Sequence, residues 1–127
     1  QNTLDPIDAV INPLISGPGD GLDSAVEGQR YLLTEDTGAM DNQYPAVEWV
    51  GGNGRPLVAQ ANDIIEYDAT EGAWFVSFDS TANPANTAAT LEYVTNLATN
   101  VQYRYADSNW MKSYEGWYDQ GDYSIVI

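Results

Sequence analysis

The chain has 127 residues, of which 43% are hydrophobic and 12% aromatic, enough to bury a folded core. Its net charge of −15 argues against binding to nucleic acid or to an anionic membrane, because both are negatively charged. The sequence has no histidine and no cysteine, which excludes Ser-His-Asp and Cys-His catalysis, thiolate metal sites and disulfides. No apolar stretch approaches the length of a membrane span.

The first segment predicts an extended N-terminal arm over residues 1–20. Pro6, Pro13 and Pro18 interrupt regular structure, because the residue before a proline is disfavoured in the helical region. Apolar side chains nevertheless recur along the segment, and five of them are interaction candidates. They are Leu4, Ile7, Val10, Ile11 and Leu14. The arm is expected to lie along its own domain or on a neighbouring subunit, and the alternative is a frayed terminus.

The rest of the chain predicts short strands separated by turns and long loops. The predicted strands cover 29–34, 64–67, 74–79, 92–96, 101–105, a return strand that begins at Trp110, and 123–127. The segment 88–98 is the one rival for a helix, but its β-branched and aromatic residues favour a strand. The predicted fold is therefore all-β: a small antiparallel sandwich or partly open barrel, with residues 21–127 forming a single β domain.

An aromatic hairpin motif occurs twice, in residues 64–77 and 101–113. Each copy has a tyrosine, a short polar turn, and a tryptophan followed three residues later by a serine. Strand alternation places Trp74, Val76 and Phe78 on one face, which is typical of a buried side. The repeat thus indicates architecture more than ligand binding. The repeat contains Tyr67, Trp74, Tyr105 and Trp110, and most of these aromatic residues are assigned to the core.

Acidic residues suggest two kinds of chemistry, and neither pattern is specific. A glycosidase needs two carboxyl groups across a cleft, and four carboxylates surround the first hairpin, but in so acidic a chain they are expected to be solvated turn residues. They are Glu66, Asp68, Glu71 and Asp79. The segment 19–27 offers oxygen ligands for calcium, but its spacing does not match an EF-hand. We therefore predict no metal, no cofactor and no catalytic residue, and expect that the protein is not an enzyme.

Aromatic residues outside the strands are the candidates for carbohydrate binding. Trp117 and Tyr118 lie between predicted strands, next to Gly116 and Asp119. Because aromatic residues on loops are more often functional than those in a core, this pair joins the interaction candidates.

Several blocks of the sequence occur in an order that resembles a known group of proteins. The blocks are residues 28–33, 37–38, 49–51, 61–68 with Trp74, 103–110 and 124–127. Over residues 14–127 the chain resembles small aromatic β domains of tailed-phage and prophage virion proteins, including modules of T4-like myophages. The resemblance implies a structural role and brings no catalytic residues with it.

The expected function is therefore that of a non-enzymatic structural or interaction module of a tailed-phage virion. The module would belong to the tail, baseplate, fibre or head surface, within a homo-oligomer or larger assembly, and its partners would be other virion proteins. The alternative is a carbohydrate-binding or host-recognition module that uses exposed Trp or Tyr rings on a host-surface glycan.

Overall fold

The computed structural model describes residues 3–38, 49–80, 92–106 and 109–113, and over these ranges the protein is all-β, as predicted. The strands are β1 Ala9–Ile11, β2 Gly17–Pro18, β3 Gly21–Leu22, β4 Arg30–Leu33, β5 Ile64–Asp68, β6 Ala73–Phe78, β7 Glu92–Asn96, β8 Val101–Ala106 and β9 Asn109–Ser113. A single 3-10 turn, Gly52–Gly54, is the only helical element in the described part. No helix within these ranges has the length and apolarity needed to cross a membrane. The predicted strand 123–127 and the loop residues Trp117 and Tyr118 lie outside the described residues.

The chain divides into two compact units. One unit combines residues 1–9 with 81–127, and the other consists of residues 10–80. β1 begins at the boundary between the two ranges.

The unit 10–80 contains a four-stranded sheet in the order β1-β4-β5-β6. β5 is antiparallel to both of its neighbours, and the β5–β6 hairpin matches the first predicted aromatic hairpin. β2 and β3 form a separate short parallel pair. The segment after the 3-10 turn folds back, so that Val50 bridges Pro56 and the carbonyl of Val50 accepts a hydrogen bond from the N–H of Trp74. Val50, which precedes the turn, therefore lies at the outer edge of β6.

A bulge in the β5–β6 hairpin corrects one predicted set of neighbours. Ile65 pairs with Val76, whereas Ile64 pairs with Phe78, which leaves Ser77 as the extra residue. Since Ile64 and Ile65 point to opposite faces of the sheet, Val76 and Phe78 do so as well. The prediction that Trp74, Val76 and Phe78 share one face is therefore wrong for Phe78, which is nevertheless buried.

The core of this unit includes an aromatic cluster around Trp74. The Trp74 ring stacks on Tyr31 at 5.6 Å between centroids and meets Trp49 edge-on at 5.1 Å. Tyr67 lies 5.2 Å from the same ring. The indole N–H of buried Trp49 donates a hydrogen bond to the carbonyl of Pro13 at 3.0 Å, so the cluster is both packed and tethered.

The other unit contains an antiparallel sheet in the order β7-β8-β9. The alternation predicted for β8 is observed, because Tyr103 and Tyr105 are buried while Arg104, between them, is half-buried. Tyr105 lies opposite Trp110 with their rings 5.0 Å apart, and both are buried, as predicted for the second hairpin.

The predicted extended N-terminal arm is not confirmed. In the first unit, Ile7 bridges Asn96 in parallel, and its N–H donates to the carbonyl of Thr95 at 2.9 Å. In the second unit, the carbonyl of Ile11 accepts a hydrogen bond from the N–H of Thr34. The proline-rich segment is thus interrupted but still joins sheet structure, because the stretches between its prolines are long enough to make ladder hydrogen bonds.

Candidate functional site

The five apolar candidates of the N-terminal segment have different environments. Ile7 is fully buried and Ile11 is 7% exposed, so the chain itself already covers both side chains. Leu4, Val10 and Leu14 are half-buried. A contact with a neighbouring subunit through this segment would have to use these three or the adjacent Ile15, which is 76% exposed.

A groove lies next to the β5–β6 hairpin in the unit 10–80, and we refer to it as the β6 groove. Its volume is about 330 Å³. Most of its surface is apolar, with an acidic rim. Its lining residues are Gly52, Asp68, Glu71, Ala73, Trp74 and Phe75.

The hairpin loop between β5 and β6 holds the two carboxylates that line this groove, those of Asp68 and Glu71. Asp68 and Ala73 are the last paired residues of β5 and β6. One carboxylate oxygen of Asp68, Oδ1, accepts hydrogen bonds from the backbone N–H groups of Thr70 at 2.9 Å and Glu71 at 3.2 Å. This is the local turn-closing bond that makes aspartate common in tight loops. The turn therefore fixes Asp68 and brings Glu71 to the same end of the groove.

Phe75 supplies an exposed aromatic ring. Trp74 faces the aromatic cluster and is 3% exposed, whereas its neighbour Phe75 points to the opposite side of the strand and is 43% exposed. Val50, on the segment bonded to β6, is 39% exposed. Because Trp74 is packed against three other rings, the part of the groove it lines is rigid.

An ion pair between Arg30 and Glu66 lies on the same face of the sheet as Phe75. Glu66 lies opposite Phe75 in the register, and its Oε1 accepts a hydrogen bond from Nη1 of Arg30 at 2.7 Å. The same Nη1 also donates to Oγ of Ser77 at 2.7 Å. Arg30 is thus committed to Glu66. In contrast, neither Asp68 nor Glu71 forms an ion pair with any residue of the described ranges.

The arrangement brings together two of the four carboxylates expected around the first hairpin. Asp68 and Glu71 line the groove, whereas Glu66 is paired with Arg30. Across the residues the structure describes, no group of three or more acidic side chains is placed to hold a metal ion. In the segment 19–27, Glu27 accepts a hydrogen bond from the N–H of Ala69 at 2.7 Å.

Sequence reasoning did not select Phe75, although a signal for it was present. The alternation that placed Trp74 in the core also places Phe75 on the opposite side of β6. What the alternation could not show is that a second segment, around Gly52, would lie beside this edge and form the other wall of the groove.

In comparisons with protein-family models, curated proteins and solved structures, nothing matches this chain.

Proposed function

We propose that this protein is a non-enzymatic structural module of a tailed-phage virion that acts through protein–protein contacts. The observation that supports this most directly is the β6 groove, where an exposed phenylalanine lies beside a rigid, mostly apolar wall. The order of the sequence blocks, which resembles that of virion modules, supports the phage setting. The partners proposed are other virion proteins.

Part of the β6 groove is already ordered before a partner binds. The aromatic cluster holds Trp74 in place, and the turn bonds hold Asp68, so a partner would not have to order these groups. Contacts made to preorganised groups lose less free energy to ordering than contacts made to mobile ones. Covering Phe75 and the neighbouring Val50 would remove apolar surface from water at roughly 25 cal/mol per Å².

A glycan of the host surface is the alternative ligand. It is favoured by the exposed ring of Phe75 next to the carboxylates of Asp68 and Glu71, because a sugar presents both an apolar face and hydroxyl donors. A glycan array that includes host-surface polysaccharides tests it directly. Binding that depends on Phe75 supports the alternative, and an array without hits counts against it.

The virion role is tested on purified particles of the phage or prophage that encodes the chain. We expect mass spectrometry to find the protein at a fixed copy number per particle and electron microscopy to locate its density. Particles that lack the protein would refute the proposal.

A pair of variants then tests the groove itself. Phe75→Ala should lower incorporation into particles, while Val58→Ala, which truncates a 62% exposed side chain outside the groove lining, should leave it unchanged. Thermal unfolding of both purified variants verifies that they remain folded. Equal incorporation of Phe75→Ala and wild type would show that the groove is not the contact.

A further inference from the structure

We propose that the β6 groove binds a basic side chain, an arginine or lysine, of a partner protein. This inference rests on the interaction role proposed above and specifies the chemistry of the contact. It follows from the charge at one end of the groove, the ring beside it and the shortage of basic residues in the chain itself.

The acidic end of the groove has unused hydrogen-bond acceptors. Oδ1 of Asp68 closes the hairpin turn, but its other carboxylate oxygen makes no hydrogen bond with the described residues. The carboxylate of exposed Glu71 also has no hydrogen-bond partner within those ranges. Two carboxylates at one end of an apolar groove attract a cation and repel an anion.

The chain itself has few basic residues that could pair with these two carboxylates. It contains four Lys and Arg residues against 19 Asp and Glu. Within the unit 10–80, Arg30 is committed to Glu66, and Arg55 is an exposed residue on the loop that supplies Gly52. The net charge of −15 adds a long-range attraction for a basic partner.

The apolar part of the groove suits the rest of an arginine or lysine side chain. The methylene groups of such a side chain can lie against Ala73 and the ring of Phe75, while its charged head meets Asp68 and Glu71. A guanidinium also stacks on an aromatic face, which adds a cation–π contribution at Phe75. A neutral or acidic side chain would gain the apolar contact but not the charge contact.

The test is a titration of the intact chain with a blocked Gly-Arg-Gly peptide, followed in two-dimensional amide NMR spectra. The control peptide carries citrulline, which keeps the shape of arginine without its charge. We expect the arginine peptide to give saturable shifts of the amides of Gly52, Ala73 and Phe75, and the citrulline peptide to give much smaller ones. Raising the salt from about 20 mM to about 500 mM should weaken the binding.

Matched variants separate charge recognition from general acidity. Glu71→Gln should raise the Kd for the arginine peptide about two- to fivefold, the range typical of an exposed ion pair. Asp68→Asn should act in the same direction, because the amide oxygen still closes the turn while the charge is lost. Glu35→Gln makes the same charge change beyond the opposite end of β4 and should leave the Kd nearly unchanged.

Three results with the two peptides and the variants would overturn the inference. They are equal shifts from the arginine and citrulline peptides, an absence of shifts from both, or equal effects of Glu71→Gln and Glu35→Gln. Shifts of the same amides by simple saccharides, with none from the arginine peptide, would also overturn it and favour the glycan alternative. These outcomes are independent of the particle experiment. If the protein is a virion component that does not bind the arginine peptide, only the inference fails, and the reverse result refutes only the virion role.

Discussion

The contribution of Ile7 to stability distinguishes a core segment from a detachable arm. Ile7 is fully buried, its N–H donates to Thr95, and its carbonyl accepts from the N–H of Leu97 at 2.8 Å. The backbone at this position is therefore held on both sides, so neighbouring atoms have little freedom to fill a cavity. Truncation of a buried isoleucine to alanine lowers the free energy of unfolding by about 2–5 kcal/mol, and the loss is smaller where the surrounding atoms can move into the cavity.

For Ile7→Ala we expect the free energy of unfolding to fall by about 3 kcal/mol, a middle value of that range. In a domain of this size, such a loss lowers the Tm by about 12 °C, at roughly 4 °C per kcal/mol. Ile7→Val removes one methyl group and should cost about 1 kcal/mol. Urea denaturation followed by tryptophan fluorescence and circular dichroism measures all three proteins.

Ile15→Ala is the matched control, because it makes the same chemical change in the same N-terminal segment at a side chain that is 76% exposed. Its effect should stay within about 0.5 kcal/mol. If Ile7→Ala changes the free energy of unfolding as little as Ile15→Ala does, Ile7 is not part of the core, and the N-terminal segment behaves as an arm available to a neighbouring subunit. Deletion of residues 1–15 should likewise destabilise the chain, since it removes both Ile7 and Ile11 from its interior.

Two further predictions concern polar and backbone packing in the unit 10–80. The Asp63 carboxylate is 3% exposed and accepts hydrogen bonds from the N–H of Ser80 at 2.8 Å and from its hydroxyl at 2.7 Å. Asp63→Ala removes the acceptor of both buried hydrogen bonds and should lower the free energy of unfolding in urea by about 3 kcal/mol; a loss below about 1 kcal/mol would contradict this. Gly38 has φ +81, and a Cβ there would lie 2.0 Å from the carbonyl oxygen of Leu57. Gly38→Ala should therefore lower the free energy of unfolding by about 3 kcal/mol or more, whereas Gly19→Ala, at φ +77 in open space, should cost about 1 kcal/mol. Equal losses for the two alanine variants would show that the close approach at Gly38 is absent.

Local patterns were sufficient to predict the all-β class and most of the buried aromatic rings. Alternation identified β8 and placed Tyr105 in the core, because the side chains of a strand point to opposite faces in turn. The aspartate and glycine at the ends of the first hairpin loop indicated a tight turn between β5 and β6, because both residue types favour turn conformations.

Alternation failed where the pairing of strands is irregular. The bulge at Ser77 moves Phe78 to the face opposite Val76, and no feature of the isolated β6 sequence indicates this extra residue. A bulge is a property of two strands in register, so it depends on how β5 and β6 pair and not on either strand alone.

For the candidate site as well, some features could be predicted from the sequence and others only from the tertiary structure. The sequence by itself determined the ingredients: an acidic chain with few cations, carboxylates at the first hairpin, and Trp74 and Phe75 on opposite sides of one strand. Only the tertiary structure decided that the segment around Gly52 lies against the edge of β6, that Glu66 pairs with Arg30, and that Ile7 is buried. These outcomes require contacts between residues distant in the chain. Local propensity and periodicity describe a single segment, and therefore leave its partners undetermined.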